Sequence, residues 1–169
     1  MTLPTVYPTQ YSGTGANTLT NDFNKVKCDR SGAARINAGR VSVPSGTAAN
    51  AYVGLTPFNK GARFSIDNTS VYCGNFGAGT TTVNLGYIYD DNTTYTNDVD
   101  AWASLSTAAQ SGGFITVDEI EGLSFVAQAD GWITVQLIAA AADATANIDW
   151  NFIEAYDGLG INNSNSQTA

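Results

Sequence analysis

Read for polar and apolar positions, the chain shows period two far more often than period 3.6. GRVSV (39–43) alternates and stops at Pro44-Ser45-Gly46, and NAYVGL (50–55) stops before Pro57. ARFSID (62–67) and SVYC (70–73) follow, separated by Asn68 and Thr69. In TTVNLGYIY (81–89), Val83, Leu85, Tyr87 and Tyr89 share one face, while Thr82, Asn84, Gly86 and Ile88 share the other. FITV (114–117), LSFVA (123–127), WITVQLI (132–138) and NIDWNFIEAY (147–156) complete the set. Turn-forming residues punctuate each run, so the pattern predicts short antiparallel strands. In the last run Ile148, Trp150 and Phe152 alternate with Asn147, Asp149 and Asn151, which makes Trp150 a core residue rather than a ligand platform.

One stretch breaks the period. DVDAWASLSTAAQ (98–110) spaces Trp102, Leu105 and Ala109 as one helical face, and Asp98 or Asp100 is placed to cap it. The expectation is an all-β, jelly-roll-like sandwich of about eight short strands with one short helix near 98–110. Residues 1–24, with Pro4, Pro8, Gly13 and Gly15, read as an extended arm. Residues 25–156 read as the sandwich domain and 157–169, DGLGINNSNSQTA, as a flexible tail.

Composition narrows the function. Among 169 residues, 13% are charged, against roughly 25% in an ordinary globular chain. Net charge is −8, which disfavours nucleic acid, because phosphate binding needs clustered Lys and Arg. The charge is unevenly spread. All seven basic residues lie between 25 and 63 with only Asp22 and Asp29 before residue 64, so 1–63 carries +5 and 64–169 carries −13. Such polarity helps copies dock, unless strands from both halves mix in the fold. Two cysteines, Cys28 and Cys73, exclude a disulfide framework and read as buried thiols. MTLPTVYPTQ lacks the pattern of a secretory signal, and WITVQLIAAAADA is too short to span a membrane, so synthesis in a cytoplasm is expected.

Much familiar chemistry is missing. There is no histidine, so a Ser-His-Asp triad and most zinc sites are excluded. GNFGAGTTT (74–82) lacks the lysine of a phosphate loop and precedes a strand, so it reads as a loop or hairpin. A glycosidase needs two carboxylates across a cleft. Asp118, Glu119, Glu121 and Glu154 are available, but no spacing pairs them, and solvated turn acids is the plainer reading. The densest acid cluster is YIYDDNTTYTNDVD (87–100). Asp90, Asp91, Asp98 and Asp100 are calcium candidates, yet the glycine and distal glutamate of an EF-hand are missing. The cluster reads first as a strand exit, a polar crossover and a helix cap, with no cofactor and no catalytic residue.

TPFNKGARFSI and FGAGTTTVNLGYIYDD, with the DAWASLSTAAQSGG and ADGWITVQLIAAAADATANIDWNFIEAYD stretches, resemble small virion structural proteins of tailed bacteriophages, among them head decoration or cement proteins. The likeness covers roughly residues 35–157, here with two residues inserted after Pro57. It implies a jelly-roll sandwich without enzymatic activity, seated on the outer surface of a phage head as homo-trimers against the major capsid protein. Tyr7 and Tyr11 on the arm, with Arg40, Lys60 and Arg63 on the body, are the expected contacts. A tail, fibre or head-spike component is the structural alternative. A carbohydrate-binding module is the alternative of another class, with Trp102, Trp132, Tyr87, Tyr89 and Tyr95 stacking on sugar rings.

Overall fold

The computed structural model describes residues 4–8, 35–77, 79–118 and 125–156. The described residues form eight strands: β1 (Arg35–Val43), β2 (Tyr52–Phe58), β3 (Ala62–Cys73), β4 (Thr82–Tyr89), β5 (Asp98–Ser106), β6 (Gly113–Phe114), β7 (Gly131–Ile138) and β8 (Ala146–Tyr156). A one-turn helix, α1 (Ala108–Ser111), stands between β5 and β6. One sheet has the order β1-β8-β3-β6 and the other β2-β7-β4-β5, and every pairing within them is antiparallel. The pairs nest: β1 with β8, β2 with β7, β3 with β6, β4 with β5. A long two-stranded ribbon rolled onto itself gives this order, which is the jelly roll expected from the sequence.

The inner faces meet as the alternation requires. Val41, Val43, Val71, Cys73, Ile148, Trp150 and Phe152 from the first sheet face Val53, Leu55, Val83, Leu85, Ile133, Val135 and Leu137 from the second, all nearly or fully buried. Trp150 is 4% exposed and belongs to the core. Asn37 ties the sheets where β1 lies beside β2. Its side-chain amide donates to Thr56 Oγ1 at 2.7 Å and to Glu154 Oε2 at 3.3 Å. Glu154 is fully buried, not the solvated acid expected, because β8 carries it inward in phase with Trp150 and Phe152. Cys73 is a free thiol in this core, and Cys28 lies outside the described residues.

The region 98–110 departs from the expectation. Residues 98–106 form a strand, and helix is confined to Ala108–Ser111. Ala101, Trp102 and Ala103 are buried in succession, which a helix stripe cannot do, and Leu105 is 57% exposed. β5 pairs with β4 through two irregularities. At one, Asn84 Oδ1 accepts from the Leu105 amide at 2.8 Å, and Leu105 takes a φ of 52°. Pairing with the edge of β4 outweighs the weak helical spacing. Neither aspartate caps α1; Thr107 stands at its N-terminus with no side-chain cap bond.

Other boundaries also moved. The runs 62–67 and 70–73 fuse into β3 across an irregularity between Ser65 and Ser70. Of FITV only Phe114 is strand, and of LSFVA the described residues 125–127 are not strand. The glycine-rich stretch is the loop that leads into β4. Residues 4–8, expected in an unpacked arm, lie against β2, with Pro4 and Pro8 buried. Together with the backbone of Asp98 and Val99 they help cover the outer face of the second sheet, where Trp132, Thr134, Gln136, Asn84 and Ile88 are all buried.

Gly86 marks how closely β5 crosses β4: a Cβ there would lie 2.3 Å from the Asp98 carbonyl oxygen and 2.4 Å from the Val99 carbonyl carbon. Both are backbone atoms with no room to yield. Gly86→Ala is expected to lower stability by about 3 kcal/mol or more, read by denaturant unfolding. Burial pushes the Cys73 thiol up to about 12 from 9.0. The folded chain therefore keeps a proton that the unfolded chain releases, so this contribution is present below pH 9 and lost as pH rises from 9 to 12. The wild-type chain should lose up to about 4 kcal/mol more than Cys73→Ala over that range; parallel pH curves for the two proteins would contradict it.

Candidate interaction surface

The two outer sheet faces differ. That of the second sheet is covered; that of the first is open. On β1, Ile36, Ala38, Arg40 and Ser42 are exposed in alternation, and Asn147, Asn151, Ser70 and Phe114 are exposed beside them. Strand register builds a row across this face. Arg40 lies opposite Asp149, Asp149 opposite Tyr72, and Tyr72 opposite Phe114. Four strands at roughly 4.8 Å spacing make the row about 14 Å long. Arg40 donates to both carboxylate oxygens of Asp149, from Nε at 2.5 Å and from Nη2 at 3.0 Å. That hydrogen bond, and then the charge of Asp149, hold the Arg40 pKa above its ordinary value. At the other end Tyr72 and Phe114 meet edge-to-face with centroids 5.3 Å apart, and Phe114 is 68% exposed. The row thus offers an exposed Arg–Asp ion pair at one edge and an aromatic edge at the other, and Arg and aromatic residues are types that anchor protein interfaces.

The sequence-predicted contact residues divide. Arg40 and Arg63 are exposed on the open face, on β1 and β3. Lys60 sits in the turn between β2 and β3, at one end of the sandwich. Tyr7 is half-buried against Trp132, and Tyr11 lies outside the described residues. Asp149, Tyr72 and Phe114 were not singled out from sequence. The alternation in β8 does turn Asp149 away from Trp150, and Gly112-Gly113 sets off Phe114, but their alignment needs the register. The pairing of Arg40 with Asp149 also shows that the basic early strands mix with the acidic later ones, so the charge polarity of the sequence is partly cancelled in the fold.

The acidic stretch has other duties. Asp90 and Asp91 line a cleft of about 440 Å³ with Lys60, Tyr95, Gln128, Ala129 and Asp130, whereas Asp98 and Asp100 begin β5. Asp91 Oδ1 accepts from the amides of Thr93 and Thr94 at 3.1 and 3.3 Å. Hydrogen bonds from Thr94 and then Thr93 hold its carboxyl below the usual range. Asp130 fastens the neighbouring turns: Oδ1 accepts from the Lys60 amide at 2.9 Å and its carbonyl from the Asp90 amide at 3.0 Å. Among the described residues no three of His, Cys, Asp or Glu gather as a metal site.

The sugar-platform residues are mostly spent inside. Trp102, Trp132 and Tyr89 are 3%, 2% and 3% exposed. Tyr87 packs on Phe125 at 4.5 Å and Trp102 on Phe125 at 5.2 Å. Burial pushes the Tyr89 hydroxyl up, and its oxygen accepts from the Gln128 amide at 3.2 Å. Tyr87, Tyr89, Trp102 and Phe125 seal one end of the sandwich, whereas Trp132 lies on the covered outer face of the second sheet, and the three buried rings have no face to offer a sugar. Of the proposed carboxylates, Asp118 is exposed and Glu154 is buried between the sheets, while Glu119 and Glu121 lie outside the described residues.

No protein-family profile matches the chain, and no curated protein sequence matches it either. Two solved structures match it, the first with a fold likeness. A chain in the capsid of Ralstonia phage GP4 matches with a TM-score of 0.55 at 17% identity, over 72% of this chain and 84% of that one. A chain in the cyanophage Pam1 capsid asymmetric unit matches with a TM-score of 0.48 at 17% identity, over 73% and 86%.

Two substitutions separate surface from core. Arg40→Ala should leave the unfolding midpoint unchanged, because the Arg40–Asp149 pair lies in solvent. Trp102→Ala should lower stability by about 3–5 kcal/mol. Calorimetry reads both, and a Trp102→Ala protein as stable as wild type would return that ring to the surface.

Proposed function

We propose that this chain is a structural protein of a bacteriophage virion, a decoration or cement protein that sits on the outer surface of the head and binds the major capsid protein. It acts by packing and adhesion, without catalysis or cofactor. The observation that carries this reading is the fold likeness to a chain in the capsid of Ralstonia phage GP4, a chain of similar length, since 72% of the one spans 84% of the other. The jelly roll alone also serves lectins, but here the buried Trp102, Trp132 and Tyr89 weigh against sugar stacking. The full burial of Glu154, with Asp118 exposed, likewise weighs against hydrolysis.

In this reading the body spans 25–156, with 1–24 as an arm and 157–169 as a tail. Copies assemble as trimers, in keeping with the family that the sequence resembles. The open face of the first sheet meets the capsid, because the chain's own residues cover the opposite face and Arg40 and Arg63 lie on the open one. Lys60, at the sandwich end, serves a neighbouring contact.

Phage heads stripped of this protein provide the test. Added protein should co-sediment and saturate at a copy number set by the lattice. A handful of copies per particle, or none on heads and some on tails, would move the assignment to a tail or fibre component. Replacing both Tyr72 and Phe114 by Ser should weaken head binding about tenfold or more without lowering the unfolding midpoint.

A further inference from the structure

Residues 4–8 occupy a seat shaped for them. The amides of Thr5 and Val6 donate to the Tyr52 carbonyl at 2.8 and 3.2 Å, and the Gly54 amide donates to the Val6 carbonyl at 2.6 Å. The Thr5 hydroxyl adds a 3.0 Å bond to the same Tyr52 oxygen. Val6 lies opposite Val53 in a parallel bridge, in contrast to the antiparallel pairing throughout both sheets. Gly54 makes the seat: a Cβ there would fall 2.7 Å from Pro4 Cγ and 2.9 Å from Trp132 Cε3. The Tyr7 ring lies 6.4 Å from Trp132. Pro4 and Pro8 bracket the segment, and since proline fixes φ and donates no amide, they hold it extended and limit the pairing to its centre.

The tether is long. Residues 9–34 number 26 and lie between this segment and β1. Fully extended they reach about 85 Å, and a domain of this size is roughly 40 Å across. The segment can therefore reach its own seat or that of an adjacent copy, and the bonds are the same in both. Exchange of an identical element between copies creates linkage without a new surface, and a tethered neighbour offers an effective concentration comparable to the cis one.

We propose that the β2 edge is an exchangeable strand acceptor: residues 4–8 of one copy seat against Val53 and Gly54 of another, so that copies of this chain link arm to edge. The inference concerns the chain by itself and stands or falls apart from the virion assignment.

A cysteine pair tests it. Val6→Cys with Val53→Cys, in a Cys28→Ser background, is prepared in tagged and untagged forms, mixed reduced at high concentration, then mildly oxidised. The expected result is disulfide-linked species containing both forms, their share rising with concentration and vanishing when Gly54→Val fills the seat. Closed monomers alone at every concentration would overturn the proposal, as would linked species that persist in Gly54→Val. Thr5→Cys with Tyr52→Cys asks the same question outside the core, should the Val53 change weaken folding, and is read by the same two outcomes.

Discussion

The structure depends on nested pairing at long range. β1 must find β8, and β2 must find β7, before either sheet exists. Arg35 and Glu154 are paired residues 119 positions apart in the chain. No hairpin formed early can bury the core alone, because each sheet draws alternate members from both ends of the sequence. Loop closure over such distances is costly and slow. What repays it is the interdigitated apolar layer between the sheets, fixed in register by period-two alternation. Asn37, Thr56 and Glu154 add a polar tie where β1 meets β2.

From that frame the two faces acquire different fates. β7 sits inside the second sheet and is buried on both sides, with residues 131–137 all buried. Its outer face is closed in part by residues 4–8 and by the close passage of β5 over Gly86. The first sheet keeps its outer face in water, and β1 and β6 are its edges. The result is an asymmetry: one side of the sandwich is finished and the other is left open. The aromatic cluster at the sandwich end, from Phe58 through Tyr89 to Trp102, stiffens the closed body rather than presenting rings.

Legibility followed the strength of the local signal. β4 and β8 were readable because alternation there is nearly strict, and the inward placement of Trp150 followed from it. β5 was misread because Trp102 and Ala109 share a helical spacing, while the buried run of Ala101, Trp102 and Ala103 arises only from contact with β4. The seat for residues 4–8 was unreadable, since Gly54 looks like any strand glycine until Pro4 lies against it. The sequence marks Arg40 as a contact to a partner, but the acid it meets within its own chain, Asp149, lies 109 positions away.

By itself the sequence determined the fold class, the inward residues of most strands, and the lack of histidine chemistry. Each of these is a matter of residue type and local period, which the chain carries without reference to its partners in space. Only the tertiary structure decided that residues 98–106 are strand, that Glu154 is buried, and that Arg40, Asp149, Tyr72 and Phe114 form one row. Those facts depend on which strand lies beside which and in what register, and pairing between distant segments is set by the joint burial of two sheets rather than by any one stretch of chain.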